Sequence, residues 1–199
     1  MGTAKFNVYS WRDIMRICGG VASTSSKDKI ICQYIDLCFK TVECVAYGSN
    51  AYQVSRVSVP CEIKDLPDGY HLLIKPMKIP SGTKFVEIHI DQANKKFDIA
   101  FIDADDDIRD AAVCEFFDGD PMDYEMFYKR SHESIDKYGH GEGKYCISVN
   151  PRYLITALEG LKSCDHVILN FADRTDAFSI RPWDDSIDAE ALVLPVRRL

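Results

Sequence analysis

One order of elements occurs twice along this chain, and that repetition limits the fold more than any single motif does. Lys5–Val8 reads as a short strand, Ser10 as a candidate N-cap and Trp11–Val21 as a helix. Trp11, Ile14, Ile17, Cys18 and Val21 share one face of that helix. Three strands follow, Ile30–Phe39, Thr41–Tyr47 and Ala51–Val59, with a turn at Gly48-Ser49-Asn50. The C-terminal stretch, 144–199, repeats the pattern. K-Y-C-I-S-V is a strand, Asn150 caps a helix and Pro151 fits its first position. Tyr153, Leu154, Ala157, Leu158 and Leu161 form its apolar face. His166–Phe171, Phe178–Ile180 and the ending A-L-V-L-P-V-R-R-L supply three more strands. Units that recur in this way usually share a core across their interface.

A middle unit begins after the turn Asp65-Leu66-Pro67-Asp68-Gly69. It has a strand at Tyr70–Ile74 and three more at Phe85–Ile90, Phe97–Ile102 and Ala111–Phe117, with Asn94-Lys95 at a hairpin turn. Where a helix is due it carries K-P-M-K-I-P-S-G, and two prolines in that stretch forbid one. Residues 131–143 are polar and rich in Gly and His, and read as a surface linker. The expected organisation is a domain over 5–130, made of half-units 5–63 and 68–118, then the linker, then a half-domain over 144–199.

The 199 residues are ample for a core, and no apolar run is long enough for a membrane helix. The N-terminus has no signal-peptide core, so the expectation is a cytoplasmic protein. Its eight cysteines include no C-x-x-C pair and mostly lie in apolar patterns, as buried reduced thiols do. The net charge of −7 argues against a free-standing protein that grips DNA tightly, but not against a ring with a basic lining.

V-N-P-R-Y-L-I-T-A-L, the strand around Ile180-Arg181-Pro182 and the ending L-V-L-P-V-R-R-L closely resemble the last half-domain of the bacterial sliding clamp, the β subunit of DNA polymerase III. Asp118–Glu125, with its Asp123-Tyr124, is similar to the segment that ends a clamp domain. The resemblance implies an α+β, DNA-clamp-like fold. Its antiparallel sheets are built from strand–helix–three-strand half-domains with the helices on one face. Residues 5–130 look most like the middle clamp domain, and 144–199 like the second half of the last.

In that family the helices line a channel, and their basic residues face DNA without reading its sequence. Carried over, this nominates Arg12 and Arg16 on the first helix, Arg152 and Lys162 on the last, and Lys75 and Lys78, with Lys84, in the helix-replacing loop. Asp13 and Glu159 dilute the signal, and the plain alternative is a solvated helix face. The family also binds partner peptides, with a Gln and a hydrophobic pair, in a groove beside the final strand. Val193, Leu194, Pro195 and Val196 match that strand, and Ala177 a small-residue wall. Tyr47 and Tyr52 stand on the opposite wall, where clamps usually have Thr and Leu, and Y-G-S-N-A-Y replaces T-D-G-H-R there. The plain alternative makes Leu194 and Val196 ordinary core.

The acidic run Asp103–Asp110 reads as a solvated hairpin loop, since Ile108 stands where a calcium loop needs glycine. His71, His89, His132, His140 and His166 form no metal-ligand spacing. No nucleophile elbow, Walker loop or G-x-G-x-x-G occurs, so no metal, cofactor or catalytic constellation is expected. The resemblance implies a non-enzymatic tethering or processivity factor for DNA polymerase that contacts duplex DNA weakly, and a homo-oligomer. The middle unit without its helix would leave gaps in a ring lining. A second reading is therefore a small regulator or decoy that binds clamp-partner peptides without encircling DNA. A third is a metal-dependent enzyme using the 103–110 loop.

Overall fold

A computed structural model describes residues 1–22, 30–50, 52–117, 119–138, 147–172, 175–184 and 187–196. The first unit consists of β1 (Gly2–Asn7), α1 (Val8–Ile17), β2 (Ile35–Phe39), β3 (Glu43–Ser49) and β4 (Gln53–Pro60), followed by the short β5 (Glu62–Lys64). The middle unit has β6 (Tyr70–Ile74), β7 (Phe85–Asp91), β8 (Lys96–Ile102) and β9 (Ile108–Glu115). Then come α2 (Tyr124–Tyr138), α3 (Pro151–Gly160), β10 (Val167–Asn170), β11 (Phe178–Pro182) and β12 (Ala189–Val193).

These strands build two antiparallel sheets, one of five strands ordered β5-β1-β7-β8-β9 and one of seven ordered β10-β11-β12-β4-β3-β2-β6. The first two units exchange strands. β1 pairs with β7 of the middle unit, and β6 pairs with β2 of the first. The C-terminal unit joins through β12, which runs antiparallel to β4 with Ala189 opposite Val57 and Val193 opposite Gln53. One core results. Phe6, Trp11, Ile14, Phe39, Val57, Ile88, Ile99, Ile180 and Val193 are all buried in it, with α1 and α3 packed side by side against the sheets.

The sequence reading needs correction in four places. Helix α1 starts earlier than expected, because Asn7 rather than Ser10 is its cap: Asn7 Oδ1 accepts the Ser10 N–H at 2.8 Å. The first half of the expected strand at Ile30–Phe39 is a 3-10 turn over Ile30–Gln33. Gly48 and Ser49 continue β3 instead of turning. A Cβ at Gly48 would lie 2.2 Å from the Cys18 carbonyl oxygen, so glycine is needed where the end of α1 meets the strand. The expected linker at 131–143 is largely the second half of α2, and its remainder lies outside the described residues. Asp123 Oδ1 accepts the Met126 N–H at 3.0 Å at the start of α2, and no Gly or Pro interrupts it. Part of the expected strand at 144–149 and the last Arg-Arg-Leu also lie outside the described residues. Over 75–80 there is no helix, and Met77 and Ile79 pack against the core from an irregular stretch.

One ionisable group is fixed inside the seven-stranded sheet. Asp36 on β2 is fully buried, and His71 Nδ1 on the neighbouring β6 lies 2.9 Å from its Oδ1. Burial pushes the Asp36 carboxyl above its ordinary value, and the His71 contact offsets only part of that. Such a carboxyl binds its proton more tightly folded than unfolded. Stability therefore falls as pH rises from the ordinary carboxylate range through the raised value. Denaturant unfolding of Asp36→Asn at about pH 4 and about pH 7 should show the variant gaining on the wild type at the higher pH. Gly48→Ala should lower stability by roughly 1–3 kcal/mol, the range for forced overpacking, in thermal or denaturant unfolding.

Candidate nucleic-acid face and partner groove

Three chain segments meet on the helix side of the sheets. Arg12 and Arg16 of α1, Lys162 just beyond α3, and Met77 and Ile79 of the helix-less stretch line one open depression. Arg12 is exposed, with its guanidinium 5.8 Å from the Tyr9 ring centroid. Arg16 is engaged within the protein. It donates to the Gly160 carbonyl at the end of α3 and pairs with Asp13 at 2.6 Å, so it clasps the two helices together. Lys162 is exposed at one end of α3 and Arg152 at the other, about 15 Å apart at the helical rise per residue. Lys75 is exposed with its ammonium 5.6 Å from the Tyr34 ring, and Lys78 is exposed further along the same stretch.

The opposite face of the seven-stranded sheet carries a second, smaller apolar cluster. Cys38, Val45, Tyr47, Val54 and Leu192 from the sheet meet Tyr124 and Tyr128 from α2. α2 lies across the β4–β12 seam. Tyr124 stacks on Tyr47 with centroids 5.0 Å apart and planes at 7°. The Tyr128 hydroxyl lies 3.2 Å from Val54 O on β4 and 3.1 Å from Glu190 O on β12, so one side chain spans both strands. Burial, with Glu190 next to it, pushes the Tyr128 phenol well above its ordinary value. Ser131 Oγ donates to Ala177 O at 3.4 Å, and His132 Nε2 lies 2.9 Å from the buried Glu190 carboxylate.

The structure therefore divides the expected groove residues into three groups. Tyr47 and Ala177 lie under α2. Val193 faces the other way, fully buried in the main core opposite Gln53. That cross-strand partner turns toward α3, with its amide nitrogen 3.3 Å from Tyr153 O and its oxygen 3.2 Å from Ala157 N. Tyr52, Leu194 and Val196 are 56%, 44% and 48% exposed, with Pro195 half-buried between the last two. The Leu194 N–H donates to Tyr52 O at 3.1 Å, which carries the seam one pair beyond the strands, and Tyr52 stacks on Tyr153 of α3 at 5.3 Å. Sequence reasoning missed Tyr124 and Tyr128 as parts of this site. The signal was present as aromatics four residues apart, just before the stretch that reads as linker.

Residues 103–107 of the acidic run form the β8–β9 hairpin loop, while Ile108–Asp110, expected in that loop, begin β9. Burial pushes the Asp103 carboxyl up, but hydrogen bonds from the Asp105 and Asp107 N–H groups, at 2.9 and 3.0 Å, and Arg109 at 2.6 Å outweigh it and hold it below the usual range. Asp103 thus organises its own loop. Among the described residues no group of three or more His, Cys, Asp or Glu is placed to hold a metal ion. Cys38 faces His71 across the strand pair, but it is buried, and burial pushes its thiol up, away from the thiolate a nucleophile needs. Among the described residues no helix is long and apolar enough to cross a membrane.

No known family profile matches the sequence, and no curated protein matches it. Solved structures do match. The DNA polymerase III β chain of Streptococcus pneumoniae superposes with a TM-score of 0.71 at 15% identity, over 98% of this chain and 64% of that one. The β subunit from DNA polymerase of Streptococcus pyogenes gives 0.72 at 13%, over 98% and 65%. The DNA polymerase sliding clamp of Bacillus subtilis gives 0.69 at 14%, over 99% and 64%. The chain thus spans slightly less than two thirds of the length of these proteins, and identities this low speak for the fold alone. The resemblance read from the C-terminal motifs holds at that level: this chain has the fold of the bacterial sliding clamp, the β subunit of DNA polymerase III.

Proposed function

We propose that this protein is a non-enzymatic, clamp-type tether for a DNA polymerase or another replication protein. Its helix side lies along duplex DNA, and its opposite face, at the β4–β12 seam, holds a short hydrophobic motif of the partner. The observation that carries this reading is the depression that Arg12, Arg16 and Lys162 line together with Met77 and Ile79, in a chain that superposes on DNA polymerase III β subunits. Arg12 and Lys162 are exposed at that depression, while Arg16 serves the helix–helix contact; Lys75, Lys78 and Arg152 are also exposed, and this reading assigns them to the same face. With a net charge of −7 the rest of the surface repels phosphate, so DNA contact is confined to this face, loose and salt-sensitive. The irregular stretch that replaces the middle helix favours one competing reading, a peptide-binding regulator that never encloses DNA. Native mass with and without DNA separates the two, since enclosure requires an assembly of several copies.

A labelled random-sequence duplex should bind with an affinity that is independent of sequence and falls steeply with salt. Combining Arg12→Glu, Arg152→Glu and Lys162→Glu should weaken binding at least tenfold and flatten the log–log salt slope by about 0.9 for each phosphate no longer neutralised. Unchanged anisotropy titrations would remove the DNA-facing role. For the groove, a Gln-x-x-Leu-Phe peptide should bind the wild type, and Leu194→Asp should weaken it roughly tenfold by placing a charge in an apolar anchor site. Calorimetric titration measures both.

A further inference from the structure

The groove reading leaves open what the groove holds when no partner is present. We propose that helix α2 is an intramolecular occupant of the partner groove. In this arrangement Tyr124 and Tyr128 hold the place that a partner's hydrophobic pair takes, and a partner peptide binds by lifting α2. This inference rests on the groove reading above and adds its regulation.

The first support is position. Tyr47 and Ala177, the two wall residues on the outer sheet face, are both covered by α2, through the Tyr124 stack and the Ser131 hydrogen bond. The second is continuity. Val54 opposite Leu192 lies under α2, and the next contact along the seam is Leu194 with Tyr52, where the cover ends. Side chains alternate along a strand, so Leu194, two residues beyond Leu192, falls on the same side. Tyr128 thus covers the Val54–Leu192 pair, and beyond it Leu194 is left 44% exposed.

The third support is how α2 is held. Among its described side chains Tyr124, Tyr128 and Ser131 are buried, while Glu125, Lys129 and Arg130 are exposed and Met126 and Phe127 are 37% and 41% exposed. Among the described side chains, the contacts beyond the two tyrosines include single polar ones: Ser131 to Ala177, His132 to Glu190, Ser134 to Asp176 and Glu125 to Lys40. Open depressions of about 330 Å³ beside Tyr124 and about 670 Å³ beside Tyr128 flank the helix where it meets the sheet. A helix of this length is marginal in water once it leaves its surface, so a lifted α2 frays instead of docking elsewhere. The partner's apparent affinity is then its intrinsic affinity reduced by the fraction of molecules with the groove open.

The test titrates the Gln-x-x-Leu-Phe peptide into the full chain and into Tyr128→Ala, with hydrogen exchange followed in the wild type. The expected results are binding about tenfold tighter to the variant, and faster exchange in α2 with slower exchange in β4 and β12 when peptide is added. Equal or weaker binding to the variant, with α2 exchange unchanged by peptide, overturns the proposal and makes α2 a permanent strap. Absence of binding to both proteins overturns the groove reading itself. If Tyr128→Ala does not fold, the wild-type exchange experiment decides alone.

Discussion

The antiparallel pairing of β12 with β4 is the contact on which the remaining architecture depends. It joins the C-terminal unit to a sheet that is otherwise complete at β4, and both its faces are used. On the inner face Val57, Ala189, Ala191 and Val193 enter the main core below α1 and α3. On the outer face Val54 and Leu192 form the floor beneath Tyr128. The clasp between Arg16 and the Gly160 carbonyl exists only because this pairing brings α3 alongside α1. The C-terminal unit is small and could bury little core of its own, so the seam is a main contributor to its stability. Both candidate surfaces inherit their geometry from it, one on each side of the sheet.

Much of the fold was legible in local pattern. Asn150 and Pro151 mark the start of α3, and the Asn150 side chain accepts the Arg152 N–H as its type and place suggest. The prolines of K-P-M-K-I-P exclude a helix, and none forms. Alternation located β7, β8 and β11 to within a residue or two. What was not legible depends on partners distant in sequence. Nothing local says that the final strand pairs with Gln53–Pro60, or that Gly48 is a point of close approach to Cys18. Residues 131–138 look like a linker because their few anchoring residues are diluted by charge, and the sheet that selects the helical form lies far away in the chain.

The candidate sites divide in the same way. Basic residues could be named one by one, but sequence does not reveal that Arg16 is occupied by Gly160 and Asp13 while Arg12 is free to meet solvent. Tyr47, Tyr52, Ala177 and Leu194 could be nominated by resemblance, whereas the aromatic cover over the first of them could not. Alternation in the terminal strand does separate Val193 from Leu192 and Leu194, and that signal was there to be used. In the middle unit the edge strand β9 is exposed along nearly its whole length, with Ile108 66% and Val113 75% exposed.

The exchange of strands between units has a consequence for how the chain reaches this state. β1 and α1 precede β7 by most of the first two units, and β4 waits for β12, which comes only after the whole middle unit, α2 and α3. Each pairing closes a long loop before any contact repays it, so folding should be slow and all-or-none, with few stable fragments. In the interval β4 presents an open hydrogen-bonding edge of the kind that recruits neighbouring chains. Helix α2 emerges between the two strands, and its Tyr128 contact to the Val54 carbonyl is available before β12 exists. A protein built this way is exposed to aggregation during synthesis, and the segment that crosses the seam is the first part of the chain able to shield it.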